Sequence, residues 1–212
     1  MKALVIGATG ATGKPLVQAL LLDPTVTEVH IFIRKDAFLS HPKLVRHMVD
    51  FDNMQSWQDL IQGDVVFSCL GTTIKAAKTK TNQWKIDYQY QYDFARYARQ
   101  NGSRTLALVS AVGASAKSPF FYTKMKGQLE ESIIALNYKT CIIFQPGILL
   151  RKDSDRVMEK LSGHLLRFFN TLGLFKKYKP LATEDLALAM LHAAKQATPG
   201  LHYYTLHEIK QP

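Results

Sequence analysis

The 212-residue sequence lacks most features that mark membrane or secreted proteins. No apolar run reaches the roughly 18 residues that a membrane span needs. The apolar stretch after Met1 is shorter than the core of a secretory signal, which has about 7–15 residues. The two cysteines, Cys69 and Cys141, lie inside apolar runs and provide no disulfide framework. These absences predict no membrane span and a reduced, cytoplasmic location.

Acidic side chains are also scarce. The chain has 17 Asp and Glu against 27 Lys and Arg, a net charge of +10 that is spread over both halves. This excess favours an anionic partner, namely a phosphorylated cofactor, a nucleic acid or a membrane surface, unless it serves only solubility. No nucleic-acid motif accompanies it, and the seven histidines are scattered without ligand spacing. We therefore expect no specific nucleic-acid partner and no metal site.

Apolar runs and helical patterns alternate from one end of the chain to the other. The predicted strands are Lys2–Ile6, Glu28–Ile33, 44–49, 65–70, Thr105–Val109, Thr140–Gln145 and 201–206. The predicted helices are 15–22, 84–99, 121–136, 157–172 and Thr183–Gln196. Alternation of this kind is typical of crossover units and a mostly parallel sheet covered on both faces. We expect one α/β domain over 1–212, a doubly wound Rossmann-type sheet with a small C-terminal cap.

Within this domain, 1–150 is expected to form the nucleotide-binding core and 151–212 a substrate-side cap. The recurrence of Ile86, Tyr90, Phe94 and Tyr97 at helical intervals predicts a helix at 84–99, and this tyrosine-rich helix offers a surface for a second subunit of a homodimer. The basic amphipathic stretch 161–179 is expected to cover the substrate cleft, although such a stretch can also bind an anionic membrane or a partner.

A glycine-rich loop joins the first strand to the first helix. Gly7, Gly10 and Gly13 recur every three residues, with Thr9, Ala11 and Thr12 between them. The amides at a helix N-terminus attract phosphate, and glycines let the chain turn sharply and let a pyrophosphate approach. The strand–loop–helix context predicts a dinucleotide site, and an ordinary tight turn is the alternative.

The end of the second strand indicates which dinucleotide fits. An acidic residue there would bind the adenosine ribose, but this strand ends at Arg34-Lys35, with Asp36 only afterwards. A guanidinium can bind a phosphate with two hydrogen bonds, so the pattern favours NADPH over NADH. An exposed basic turn is the alternative. Asp50 and Phe51, after the third strand, are placed to contact the adenine.

A second group of polar residues follows the fifth strand. Ser110 closes that strand, and Tyr122 and Lys126 are four residues apart at the start of a predicted helix, so they share one face. An ammonium group close to a phenol is expected to lower the phenol's pKa and to ease proton transfer. A serine hydroxyl can orient a carbonyl or an alcohol. The alternative is an ordinary surface turn of a helix.

These segments together resemble a known family. GATGATG, VDFDN, CLGTT, LVSAVGAS, YTKMKG and QPGILL follow the order and approximate spacing of the atypical short-chain dehydrogenase/reductases, and the chain is most similar to their Tat-interacting-protein-like branch. The resemblance is strongest over residues 1–150. It implies a Rossmann-type fold with NADPH lying across the strand ends.

The resemblance also assigns roles to residues. It implies that the pyrophosphate loop is Gly7, Thr9, Gly10, Ala11, Thr12 and Gly13. It places Arg34 at the 2′-phosphate, and Leu70, Gly71 and Thr72 beside the cofactor. It implies that Ser110, Tyr122 and Lys126 form the catalytic trio, in which Lys126 also holds the nicotinamide ribose. It places Pro146 and Gly147 in the turn next to the nicotinamide.

Two positions depart from the family pattern. Ala111 stands where many members have a second serine, and the asparagine of a proton relay has no match, although Asp87 lies near that region. We expect an NADPH-dependent oxidoreductase acting on a small carbonyl or alcohol. The alternatives are a cofactor-binding regulatory or scaffold protein and an enzyme of the nucleotide-sugar epimerase or dehydratase type.

Overall fold

A parallel sheet of seven strands forms the centre of the molecule in the computed structural model, which describes residues 1–36, 40–150, 180–196 and 198–209. The strands are β1 Lys2–Ile6, β2 Glu28–Ile33, β3 Leu44–Met48, β4 Val65–Ser68, β5 Thr105–Val109, β6 Thr140–Gln145 and β9 Gly200–Thr205. Their order in the sheet is β3-β2-β1-β4-β5-β6-β9. A separate pair consists of β7 Leu149–Leu150 and β8 Leu181–Ala182. The predicted doubly wound α/β fold is thereby confirmed.

Helices cover both faces of this sheet. They are α1 Gly13–Leu22, α2 Ile74–Ala77, α3 Lys80–Trp84, α4 Tyr90–Gln100, α5 Phe121–Ile134, α6 Thr183–Gln196 and α7 Leu206–Ile209. A 3₁₀ segment spans Phe51–Leu60 and a π-helical turn spans Lys85–Gln89. The π-helical turn lies within the helix predicted at 84–99, whereas the 3₁₀ segment, most of α3, α2, α7 and the β7–β8 pair were not predicted, because they are short or lack a clear period. Among the described residues, no helix has the length and apolar character needed to cross a membrane.

The sheet separates two hydrophobic clusters. Along β1, Ala3 and Val5 enter the cluster with α1 and α6, whereas Leu4 and Ile6 enter the cluster with α4 and α5. All four side chains are fully buried. A strand that is buried on both faces reads as a continuous apolar run, and for this reason the sequence pattern marked β1 correctly.

The tyrosine-rich segment is helical, as expected for 84–99. Of the four residues whose spacing predicted the helix, Phe94 is buried and the others are half-buried. The stripe that is buried consists of Asp87, Gln91, Phe94, Ala95 and Ala98. The π-turn widens the helix locally and changes which positions face the sheet. Hydrogen bonds hold Gln91 within this stripe, since Ser68 Oγ donates to Gln91 Oε1 at 2.7 Å and Gln91 Nε2 donates to the Asp87 carbonyl at 2.7 Å. A homodimer through this helix stays a prediction.

The described parts of the expected C-terminal cap complete the main unit. β9 pairs with β6 in parallel and becomes the seventh strand, and α6 packs against α1. Whether the rest of 151–212 forms a substrate-side cap stays a prediction. The expected helix at 157–172 and the basic stretch 161–179 lie outside the described residues.

Helix α5 approaches the loop after β5 very closely at Gly127. A methyl group on this glycine would lie 2.1 Å from the carbonyl carbon of Ser115 and 2.2 Å from the amide nitrogen of Ala116. Both neighbours are backbone atoms, which cannot rotate away as a side chain can. Glycine at this position therefore sets the distance between α5 and the loop.

We predict that Gly127→Ala lowers the free energy of unfolding by about 2 kcal/mol or more, because overpacking against backbone forces a shift of the helix or the loop. Chemical denaturation followed by circular dichroism measures the change. Gly71→Ala is the matched control, because a methyl group there has no atom within 4 Å, and we expect a change below about 0.5 kcal/mol. Equal stability of the two variants would contradict the packing argument.

Candidate functional site

The carboxyl ends of the parallel strands bring several of the predicted residues to one edge of the sheet. The glycine loop follows β1, Leu70 follows β4, Ser110 follows β5 and Pro146 follows β6. Backbone hydrogen bonds hold these ends together: Cys69 N donates to the Ile6 carbonyl at 3.0 Å and Ser110 N donates to the Phe144 carbonyl at 2.8 Å. The strand order reverses between β1 and β4, where open α/β sheets have their ligand crevice.

The glycine loop is folded tightly against the end of β4. Gly7 has a φ of +75°, and a methyl group on it would lie 2.4 Å from the Cys69 carbonyl carbon. A methyl group on Gly13 would lie 2.1 Å from the Gly7 carbonyl oxygen, and one on Gly10 would lie 3.1 Å from the same oxygen. The spacing of the three glycines is therefore a steric requirement of this turn.

The N-terminus of α1 has the features of an anion site. No side chain caps its first amides, and no acidic residue lies in its first turn. Thr12 is buried at the helix start, whereas Thr9 is exposed and Ala11 is half-buried. Backbone donors with no side-chain partner, at the positive end of a helix, fit the pyrophosphate of a dinucleotide.

The end of β2 presents two exposed cations, Arg34 and Lys35. The following acidic residue, Asp36, forms an ion pair with Arg46 at 2.8 Å. The positive charge of Arg34 acts on Tyr90, whose pKa is nevertheless raised by burial and by its hydrogen bond to Asp52. The assignment of Arg34 and Lys35 to a 2′-phosphate stays a prediction.

Asp50 and Phe51 serve mainly local structure. Asp50 caps the 3₁₀ segment, since its side chain accepts from Asp52 N at 2.9 Å. Phe51 is buried, with its ring 5.8 Å from Trp57 and 5.4 Å from Tyr90, measured between ring centroids. A contact of these two residues with adenine stays a prediction.

The segment after β4 is held by a carboxylate in the π-turn. Thr72 N donates to Asp87 Oδ1 at 2.7 Å, and Gln83 Nε2 donates to the Thr72 carbonyl at 3.2 Å. Asp87 is fully buried, and its Oδ2 has no hydrogen-bond partner among the described residues. Leu70 and Thr72 are half-buried beside this group and Gly71 is exposed.

Lys126 carries its ammonium group into the interior, with only 2 % of the residue exposed. Its Nζ donates to the Val109 carbonyl, next to Ser110, at 3.3 Å. Burial lowers the pKa of Lys126, and the nearby negative charges of Asp87 and Glu130 raise it. Lys126 therefore contacts the backbone next to Ser110, and the catalytic roles expected for Ser110, Tyr122 and Lys126 stay predictions.

Tyr122 lies one turn before Lys126 and is half-buried. Burial raises the pKa of its phenol, and the charge of Asp87 raises it further. The expectation that Lys126 lowers the pKa of Tyr122 is wrong, because burial and the charge of Asp87 raise that pKa instead. Tyr122 therefore holds its proton at neutral pH, and the raised pKa makes it a weaker acid than a free phenol.

Glu130 is a site residue that the sequence reasoning missed. It lies one turn beyond Lys126, is 5 % exposed and accepts a short hydrogen bond from Ser110 Oγ. Gln145, at the end of β6, donates its Nε2 to both Glu130 oxygens at 3.0 and 3.1 Å. The signal was available, because Tyr122, Lys126 and Glu130 recur at intervals of four residues on one helix.

The remaining predicted residues also lie near this edge. The Pro146 carbonyl accepts from Val112 N at 2.9 Å and ties the loops after β5 and β6 together, and Gly147 follows it.

The two cysteines are not suited to act as nucleophiles. Burial raises the pKa of the Cys69 thiol to about 12 and that of Cys141 to about 11. The described part of the chain contains no group of side chains that could hold a metal ion.

A family model described as NAD(P)H-binding matches residues 7–155. Among curated relatives, the protein named "Protein FMP52-1, mitochondrial" of Scheffersomyces stipitis is 31 % identical over 223 residues. This alignment covers 100 % of the present chain and 98 % of that protein. The match to the family model begins at the glycine loop and includes every candidate residue described above.

Solved structures show the same fold. MoeE5 in complex with UDP-glucose and NAD has a TM-score of 0.72 at 13 % identity, and the match covers 99 % of this chain and 79 % of that one. The dTDP-4-dehydrorhamnose reductase of Bacillus anthracis in complex with NADP has a TM-score of 0.67 at 16 % identity, with 96 % and 74 % covered. At these identities the likeness extends to the fold alone.

The relatives correct one prediction. "Protein FMP52-1, mitochondrial" and similar proteins of several other species are named as mitochondrial. The prediction of a cytoplasmic location is therefore wrong, and these names point to mitochondria instead. The prediction depended on the absence of a secretory signal and on the few cysteines, and neither feature distinguishes a cytosolic protein from a mitochondrial one.

Family and fold agree. The glycine loop between β1 and α1 is the start of the family match, and solved structures named as short-chain dehydrogenase/reductase and epimerase proteins share the fold. The chain therefore belongs to the NAD(P)H-binding family and has a Rossmann-type fold, which agrees with its resemblance to the atypical short-chain dehydrogenase/reductases.

Proposed function

We propose that the protein is an NADP(H)-dependent oxidoreductase that acts on a small carbonyl compound or the corresponding alcohol. The observation that carries the proposal is the position of Tyr122 and Lys126 on α5, whose Lys126 reaches the backbone beside Ser110 at the ligand crevice. In a member of an NAD(P)H-binding family, this arrangement supplies a proton donor next to the expected position of the nicotinamide.

Several residues would hold the dinucleotide. The amides of the glycine loop and the start of α1 would bind the pyrophosphate, Arg34 and Lys35 the 2′-phosphate, and the segments at Leu70 and Pro146 would lie beside the nicotinamide ribose and ring. When bound, NADPH supplies a hydride to a carbonyl carbon. The proposed preference for NADPH depends on Arg34, because a guanidinium binds a phosphate with two parallel hydrogen bonds.

The protein's own groups can serve the reduction of a carbonyl. Like any phenol, Tyr122 is protonated at neutral pH, so its hydroxyl can donate a proton to the carbonyl oxygen. Lys126 follows Tyr122 by one helical turn, and Asp87 and Glu130 favour its charged form against the burial that lowers its pKa. Ser110 would orient the carbonyl oxygen.

We predict that Arg34→Glu weakens NADPH binding by at least about tenfold, because it replaces a charge-assisted hydrogen bond to phosphate with repulsion. NADH binding should change much less. Isothermal titration calorimetry with both dinucleotides measures the effect. Arg104→Glu is the control with the same charge change, because Arg104 precedes β5 at the opposite edge of the sheet. Equal losses for NADPH and NADH would contradict the assignment of Arg34.

We predict that Tyr122→Phe lowers the rate of carbonyl-dependent NADPH oxidation by about 10²–10⁴-fold, the usual contribution of a general acid, while NADPH affinity stays within a few-fold. Loss of NADPH absorbance over a panel of aldehydes, ketones and quinones measures the rate. Tyr97→Phe, near the C-terminal end of α4 and outside the candidate site, is the control. Unchanged turnover in Tyr122→Phe would overturn the mechanism. If the wild-type protein binds NADPH but no carbonyl of the panel supports its oxidation, the result would favour a regulatory role.

A further inference from the structure

The hydroxyl of Ser110 is already committed to a partner. Its Oγ donates to Oε1 of Glu130, a buried carboxylate on α5. A serine hydroxyl has one hydrogen to donate and two lone pairs that accept. While Ser110 donates to Glu130, it has no second hydrogen for a substrate carbonyl.

Besides Ser110, Glu130 has one described hydrogen-bond partner and several charged or titratable neighbours. Gln145 Nε2 donates to both of its oxygens, at 3.0 and 3.1 Å. The charged and titratable groups that act on it are Lys126 and Glu131 from α5, Cys141 from β6 and Tyr203 from β9. Burial raises the pKa of Glu130, whereas the hydrogen bonds from Ser110 and Gln145 and the charge of Lys126 lower it.

We propose that Glu130 is a positioning residue whose protonation state decides whether Ser110 donates a hydrogen bond to the substrate or accepts one. This inference rests on the proposed oxidoreductase function and deepens it. With Glu130 ionised, Ser110 donates to the carboxylate, and its lone pairs can accept from the hydroxyl of an alcohol substrate. With Glu130 protonated by solvent, the carboxyl donates to Ser110 Oγ, and the serine hydrogen turns to a carbonyl oxygen.

The two states have opposite consequences for the two directions of reaction. Reduction of a carbonyl needs a donor at its oxygen, so it should be fastest below the pKa of Glu130 and should fall as pH rises through it. The fall should reach about a hundredfold, the usual loss when one donor to a developing oxyanion is removed. Tyr122 does not produce this limb, because its own pKa is raised and it stays protonated over the neutral range.

Glu130→Gln separates this role from a structural one. The amide oxygen of the new side chain can accept from Gln145 Nε2, while its NH₂ group donates to Ser110 Oγ. The partners Ser110 and Gln145 stay satisfied, and Ser110 keeps its hydrogen for the substrate at all pH values. Lys126 loses one of the negative charges that raise its pKa. Glu131→Gln is the matched control, because Glu131 is the exposed neighbour on the same helix and carries the same charge.

The first arm of the test is a pH profile of kcat for phenanthrenequinone reduction by NADPH. We expect the wild type and Glu131→Gln to lose rate as pH rises, and Glu130→Gln to lose this limb and exceed the wild type at alkaline pH. A Glu130→Gln profile with the wild-type limb would overturn the proposal. Loss of activity at every pH with a normal thermal melt would overturn it as well, because it would mean that the carboxylate itself is needed.

The second arm needs no turnover. Carboxyl-carbon NMR on glutamate-labelled protein gives the pKa of Glu130, with its signal identified by its absence in Glu130→Gln. Ser110→Ala removes a donor to the ionised form, so we expect it to raise the Glu130 pKa, whereas Ser132→Ala on the same helix should leave it unchanged. An unchanged pKa in Ser110→Ala would overturn the coupling. If no carbonyl is reduced, the oxidoreductase proposal fails, and this arm still decides whether Ser110 and Glu130 act as a pair.

Discussion

Burial of the Lys126 ammonium group is the constraint on which the strand-end site depends. Removing such a charge from water costs several kcal/mol unless other groups compensate for the loss. The compensation comes from the Val109 carbonyl and from the charges of Asp87 and Glu130. Each carboxylate in turn fixes another part of the site, because Asp87 binds the amide of Thr72 and Glu130 binds Ser110. One buried cation therefore connects the segments that follow β4 and β5.

The parallel sheet makes this concentration of polar groups possible. All pairings within the seven-stranded sheet are parallel, so the chain leaves most central strands at the same edge. The backbone after β4 approaches Gly7 so closely that no side chain fits between them. Membership of the NAD(P)H-binding family agrees with this geometry.

The strongly patterned parts of the fold were predictable. β1, β2, β5 and β6 have the expected bounds, and the first helix begins within two residues of the expected position. The buried face of the tyrosine-rich helix was not predictable from period alone, because the π-turn at Lys85–Gln89 alters it and because hydrogen bonds allow Asp87 and Gln91 to be buried. The direction of the Tyr122 pKa shift was also missed, since it depends on burial and on Asp87, a residue 35 positions away in the sequence.

The sequence by itself determined the features that depend on neighbouring residues. Glycine spacing specifies the tight loop, apolar runs specify buried strands, and a four-residue interval places Tyr122 and Lys126 on one helical face. Only the tertiary structure decided the electrostatics of the site. Asp87, Ser110, Glu130 and Gln145 come from separate elements, and their burial and hydrogen bonds depend on how those elements pack. Proton affinity depends on the distance to other charges and to water, and no local pattern in the sequence records those distances.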